Sequence, residues 1–247
     1  ELKSEKMKKL TIVIFILCCM IPFSVFAVES GVMLDKAPID TTDNASLQRG
    51  AESFVSYCLT CHGASYMRYN RHRDIGFSNE QILNKLVYTG QKVGDLMQSA
   101  MRKKEGEEWF GVVPPDLSVI ARSRGADWLY SYLRAFYRDD STVTGWNNLV
   151  FDRAAMPHVL YQLQGEQRLT IKSGDKGEQK SLLLDKTGNM TVAEYDKFVG
   201  DLVNYLVYLG EPHANNRKSI GLMVIAFLIG MLILSYALKR EYWKDIH

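Results

Sequence analysis

The chain has 247 residues, with 30 Lys plus Arg against 28 Asp plus Glu and 47 % hydrophobic residues. Without residues 1–27, which hold Lys3, Lys6, Lys8 and Lys9 against Glu1 and Glu5, 26 basic and 26 acidic residues remain. A neutral body excludes a nucleic-acid-binding role, which needs a basic face, and the length suits one globular domain with membrane segments.

The first stretch reads as a secretory signal. Lys8-Lys9 give the charged start, residues 10–21 an apolar run too short to span a bilayer, and Ser24-Val25-Phe26-Ala27 a small-residue cleavage site, expected after Ala27. Met7 would then be the start, with residues 1–6 an upstream extension, and Cys18 and Cys19 would leave with the signal.

Residues 28–45 follow as an extended arm, and the spacing predicts a helix over 46–57 capped by Asp43, Asn44 or Ser46. Leu47, Ala51, Phe54 and Val55 share its apolar face, where Gly50 would admit a second helix at close range. The helix runs into Cys58-Leu59-Thr60-Cys61-His62. A redox dithiol would sit in a βαβ setting and has no need of the histidine, and a zinc site would want two more ligands. Covalent haem c needs two thiols for its two vinyl groups and a histidine for its iron, and this order supplies them. The three-residue step from Cys58 to Cys61 puts both sulfurs along one side of a helical turn.

Further helices are expected over 79–88 and 127–136, and alternation around Gly174-Asp175-Lys176-Gly177 predicts a surface β-hairpin over 169–184. A haem used for electron transfer is usually closed on both faces, and methionine with histidine raises its potential. Met67 lies too close to His62 to wrap over the far face, and Met190 would have to bind from a helix cap. Met156, in Ala154-Ala155-Met156-Pro157-His158, is the favoured sixth ligand because Pro157 stiffens its loop. His158 is the rival, read as a polar loop residue near the haem edge.

Thr191-Val192-Ala193-Glu194 is a capping box opening a helix over 191–209, which Gly210 and Pro212 end. That helix would cross the first beside the haem, with Gly50 and Phe54 against the 202–205 turn. The apolar run 220–238 would span about 28 Å at ~1.5 Å per residue. Arg217 and Lys218 bracket it on one side, Lys239, Arg240 and Lys244 on the other, with Tyr242 and Trp243 suited to the interface. These elements predict a mainly α cytochrome c-type domain over 28–215 with a small β-hairpin insertion, then one transmembrane helix and a short tail over 216–247. Export of the body puts the domain in the periplasm, anchored to the inner membrane, with the C-terminus in the cytoplasm.

Four stretches together resemble the cytochrome c1 family, in its bacterial type. Arg49-Gly50 leads to the haem motif and a Tyr66/Tyr69 segment; Pro114-Pro115-Asp116-Leu117-Ser118 continues into Ile120-Ala121-Arg122-Ser123-Arg124; Ala155-Met156-Pro157 follows; and the anchor exits through Tyr236-Ala237-Leu238-Lys239-Arg240. The resemblance implies the haem subunit of a cytochrome bc1 complex (ubiquinol–cytochrome c reductase) with one covalent haem c. Its partners would be cytochrome b, a Rieske iron–sulfur protein as electron donor, and a cytochrome c as acceptor. It further implies that a proline carbonyl at Pro114-Pro115, that of Pro115, accepts the Nδ1–H of His62, and that Arg124, with Arg122 as second candidate, pairs with a haem propionate. On the residues alone two rivals stay open: an anchored monohaem donor to a terminal oxidase or nitrogen-oxide reductase, and a haem gas-binding module.

Overall fold

The computed structural model describes residues 32–88, 92–174 and 177–244; the expected signal over 1–27 lies outside the described residues. In chain order the elements are α1 (Asn44–Tyr57), β1 (Ala64–Arg68), a 3-10 turn (Tyr69–Ile75), α2 (Asn79–Lys85), β2 (Leu96–Met97) and α3 (Lys103–Phe110). Then come α4 (Ile120–Arg124), α5 (Ala126–Arg134), β3 (Phe136–Arg138), β4 (Trp146–Asn148) and α6 (Tyr161–Gln164). The hairpin β5 (Gly165–Gly174) and β6 (Gly177–Thr187), α7 (Val192–Gly210) and α8 (Ala214–Tyr242) complete the chain. The fold is mainly helical, and each of its sheets is an antiparallel pair: β1–β2, β3–β4 and β5–β6.

Two capped helices make the frame. α1 starts where the Asp43 carboxylate accepts the Ser46 N–H at 3.1 Å. α7 starts on the reciprocal Thr191–Glu194 capping box. They cross at Gly50, where a Cβ would fall 2.6 Å from the Tyr205 Cβ and closer still to the Asp201 carbonyl oxygen. Only glycine allows that approach, because no real Cβ sits so near a backbone atom. Beside the crossing the Phe54 and Tyr205 rings lie 5.7 Å apart. The Arg49 guanidinium grips both Asp201 oxygens, at 2.6 and 2.9 Å, in a bidentate pair.

The 3-10 turn packs on α7 through His72, which is fully buried. Its Nδ1–H donates to the Tyr69 carbonyl at 2.8 Å, and the Tyr205 hydroxyl donates to its Nε2 at 2.8 Å. Burial pushes the His72 pKa down to about 4, so the ring is neutral and both nitrogens are satisfied.

The middle of the chain departs from its local pattern in four places. The helix expected over 79–88 ends at Lys85, with Leu86 as its cap. The helix expected over 127–136 ends at Arg134, because Phe136–Arg138 pairs instead with Trp146–Asn148. The hairpin is longer than the alternation suggested. Its base is tied to β3 by Arg138–Glu166 at 2.9 Å and by the Gln167 amide, which donates to the Arg134 and Phe136 carbonyls. α3 has no counterpart in the sequence reading, since Trp109 and Phe110 are the large apolar residues in its eight and five of the others are charged. The expected 220–238 run lies within α8, whose 29 residues are long and apolar enough to cross a membrane. This fits a membrane anchor.

Candidate functional site

The Cys58–His62 segment folds as one tight turn on the end of α1. Cys58 caps the helix through its N–H to Phe54, and the N–H groups of Cys61 and His62 both donate to the Cys58 carbonyl, at 3.1 and 2.8 Å. The turn is braced from outside. Thr60 accepts the Met101 N–H at 3.0 Å, and Gly63 accepts the Leu117 N–H at 2.8 Å. The His62 Nδ1 lies 2.8 Å from the Pro115 carbonyl. A carbonyl only accepts, so Nδ1 carries the proton and the Nε2 lone pair is left for a metal. Burial pulls the His62 pKa down, against the Pro115 carbonyl and the Asp116 charge, and keeps the ring neutral as ligation requires.

The Pro115 carbonyl is held by its neighbour. The Asp116 carboxylate accepts the Ser65 N–H at 2.9 Å, the Ser65 hydroxyl at 2.7 Å and the Ser118 N–H at 2.9 Å, besides the Ser118 hydroxyl. Burial pushes the Asp116 pKa up, but the bonds from Ser118 and Ser65 outweigh it and leave the carboxyl below its usual range.

These groups open onto a cleft of about 270 Å³ lined also by Met156, Arg124 and Pro115. Its remaining wall is almost wholly apolar, with Trp128, Tyr132, Leu202 and Leu206 from α5 and α7. Burial pushes the Cys58 thiol up to about 12, and Cys61 is raised for the same reason. Thiols held protonated in this way make a poor redox dithiol, whose attacking sulfur needs a depressed pKa. Two apolar-walled thiols, a neutral imidazole and a thioether fit a covalently attached haem.

Residues 34–246 match the Cytochrome C1 family. The chain belongs to the cytochrome c1 family. It is 43 % identical over 246 residues to cytochrome c1 of Allochromatium vinosum, covering 98 % of this chain and 100 % of that one. It is 63 % identical over 226 residues to the ammonia monooxygenase gamma subunit of Nitrosomonas europaea, covering 92 % and 94 %. The mitochondrial cytochrome c1 haem protein of Saccharomyces cerevisiae is 22 % identical, over 85 % of this chain and 70 % of that one. Membership makes the chain a haem electron-transfer subunit with covalently bound haem c.

In this chain the Met156 loop is tied down by two buried asparagines that sequence reasoning passed over. The Asn147 Oδ1 accepts the N–H groups of Asn148 and Arg153, both at 2.8 Å. The Asn148 Oδ1 accepts those of Val150 and Phe151, at 2.9 and 3.2 Å, and its amide donates to the Tyr132 carbonyl at 2.8 Å. An Asn-Asn pair ahead of the Met156 loop is the available signal, since these side chains mimic backbone turns.

The two candidate arginines part company. Arg124 lines the cleft with its guanidinium 5.0 Å above the Trp128 ring and 5.7 Å from that of Phe151, and it forms no ion pair among the described residues. Arg122 stands away from the cleft lining, packs its stem on Gly210 and pairs with Glu211 at 3.7 Å. His158 lies in a loop as expected, between the cleft-lining Pro157 and Val159, but its side chain turns away from the cleft. It is buried, its ring stacked on Phe136 at 5.0 Å and edge-on to Trp146 at 5.0 Å, because the aromatic strands β3 and β4 draw it inward. Met67 and Met97 are core residues, and neither they nor Met190 lines the cleft.

Proposed function

We propose that this cytochrome c1 is the haem-carrying subunit of a bc1-type quinol–cytochrome c reductase. It holds one haem c through thioethers at Cys58 and Cys61, with His62 and Met156 as iron ligands and Arg124, not Arg122, toward a propionate. When bound, haem supplies a one-electron couple. The chain sets the direction of flow around it. Pro115 fixes the His62 ring and raises its basicity, the apolar wall excludes water, and Met156 presents a soft neutral donor. The electron comes from a Rieske iron–sulfur subunit beside cytochrome b and leaves to a cytochrome c. Residues 28–215 form the periplasmic body, and residues 216–247 the inner-membrane anchor with its cytoplasmic end.

What supports this reading is that one cleft gathers Cys58, Cys61 and His62 with Met156, from two distant segments. Met156 in that lining favours a closed sixth position over a gas-binding module. The test is capture of the chain from membranes in mild detergent, with haem staining of the denatured gel and identification of what accompanies it. A haem-positive band recovered with cytochrome b and a Rieske protein is expected; a band without covalent haem overturns the proposal.

The name of the Nitrosomonas europaea relative supports a second reading, in which the same haem subunit belongs to an ammonia monooxygenase. Ammonia-oxidising activity in the captured complex, without quinol–cytochrome c reductase activity, would decide for it.

A further inference from the structure

We propose that Tyr132 is a positioning residue for Met156, its hydroxyl holding the thioether sulfur in one orientation and drawing electron density from it, so that the haem potential is raised. The inference rests on the reading of Met156 as an iron ligand.

Tyr132 lines the cleft, and its hydroxyl has one partner among the described residues, the Met156 Sδ at 3.7 Å. Nothing else explains a hydroxyl in so apolar a wall. Leucine or phenylalanine would fill the same space without a polar group to desolvate.

The ring that carries the hydroxyl is held by two others. Trp128, one turn earlier on α5, stacks on it at 4.8 Å with planes 10° apart, and Phe136 meets it edge-on at 5.0 Å. The Tyr132 carbonyl accepts the Asn148 amide at 2.8 Å, and Asn148 also accepts from Val150 and Phe151 in the ligand loop. The residue is therefore joined to that loop twice, by its backbone at the start and by its hydroxyl at the sulfur.

A methionine sulfur has two lone pairs, so accepting this bond leaves one for a metal. A flexible thioether has no preference between its lone pairs, and a fixed donor on one selects the other for the cleft. A hydrogen bond also weakens the sulfur as a donor. Oxidised iron depends on that donation more than reduced iron does, so the bond favours the reduced state. Hydrogen bonding around a ligand is one of the means by which a protein tunes such a couple.

The test is a redox titration of the full haem-loaded protein in detergent, as wild type, Y132F, Y130F and M156A. Tyr130 is two residues away on the same helix and outside the cleft lining. Y132F should lower the ferrous-to-ferric ratio at the wild-type midpoint by about three- to tenfold, a fall of ~30 to ~60 mV. It should also shift the sulfur-to-iron charge-transfer band of the ferric form, while Y130F moves neither. An unchanged midpoint in Y132F, or an equal shift in Y130F, overturns the role of the hydroxyl. M156A separates this from the underlying assignment. Loss of the charge-transfer band in M156A supports ligation by Met156, whereas its persistence overturns both the ligation and this inference.

Discussion

Gly50 lies directly under the Asp201 carbonyl, and the two helices that frame the cytochrome touch there through backbone. The α7 residues Leu202 and Leu206, just beyond that contact, line the cleft. Spacing between α1 and α7 is thus also the spacing of the cleft wall. Replacing Gly50 with alanine should destabilise the protein by about 1–3 kcal/mol through overpacking. The reduced protein should also bind carbon monoxide faster as the cleft loosens. Urea unfolding and carbon monoxide mixing measure the two effects, and a fully wild-type G50A would contradict the geometry.

Arg124 and Arg122 make a matched pair of tests. R124Q removes a cation at the cleft, which favours the oxidised state and should lower the midpoint potential by at most ~60 mV, a tenfold change in the couple. R122Q alters only an exposed pair with Glu211 and should leave the midpoint in place. Equal shifts in both variants would remove the distinction drawn between them.

Asn148 holds the loop before Met156 with both ends of its amide. N148A leaves the Val150 and Phe151 N–H groups without their partner and takes one of two donors from the Tyr132 carbonyl, which keeps the Ala135 N–H; the loss should cost about 2 kcal/mol. A weakened sulfur-to-iron band should accompany the loss, together with faster carbon monoxide binding. Stability lost with an unaltered band would show that the loop keeps its shape without this residue.

His72 gives the protein an acid sensitivity of known sign. Its pKa is about 4 folded, against 6.5 ordinarily. As pH falls the unfolded chain takes up the proton first, so the stability from the neutral ring is complete above 6.5. It declines between 6.5 and 4, by about 3 kcal/mol in all. Comparing urea midpoints at pH 7.5 and 4.5 isolates the effect, because H72N should lose less stability over that interval than wild type. Parallel losses in the two proteins would assign the acid sensitivity elsewhere.

The elements legible from the sequence are those whose cause is local. Asp43 and Thr191 cap their helices by bonds to residues three positions on, Cys58 and His62 close their turn through adjacent peptides, and the apolar run before Lys239 is long enough to cross a lipid core. Cys58-Leu59-Thr60-Cys61-His62 carries the haem c pattern in its order, so that reading needs no tertiary information.

Long-range contacts carry no such local trace. Two arginines two residues apart look alike in a string, and their roles separate only where Trp128 receives one and Glu211 the other. His158 reads as an exposed loop residue until Phe136 and Trp146 close on it, since burial depends on partners 22 and 12 residues away. Tyr132 belongs by its spacing to an ordinary helix face, and its hydroxyl acquires meaning only because a loop from the far side of β4 returns Met156 to it. Periodicity reports which side of an element turns inward, and distant folding settles what it meets there.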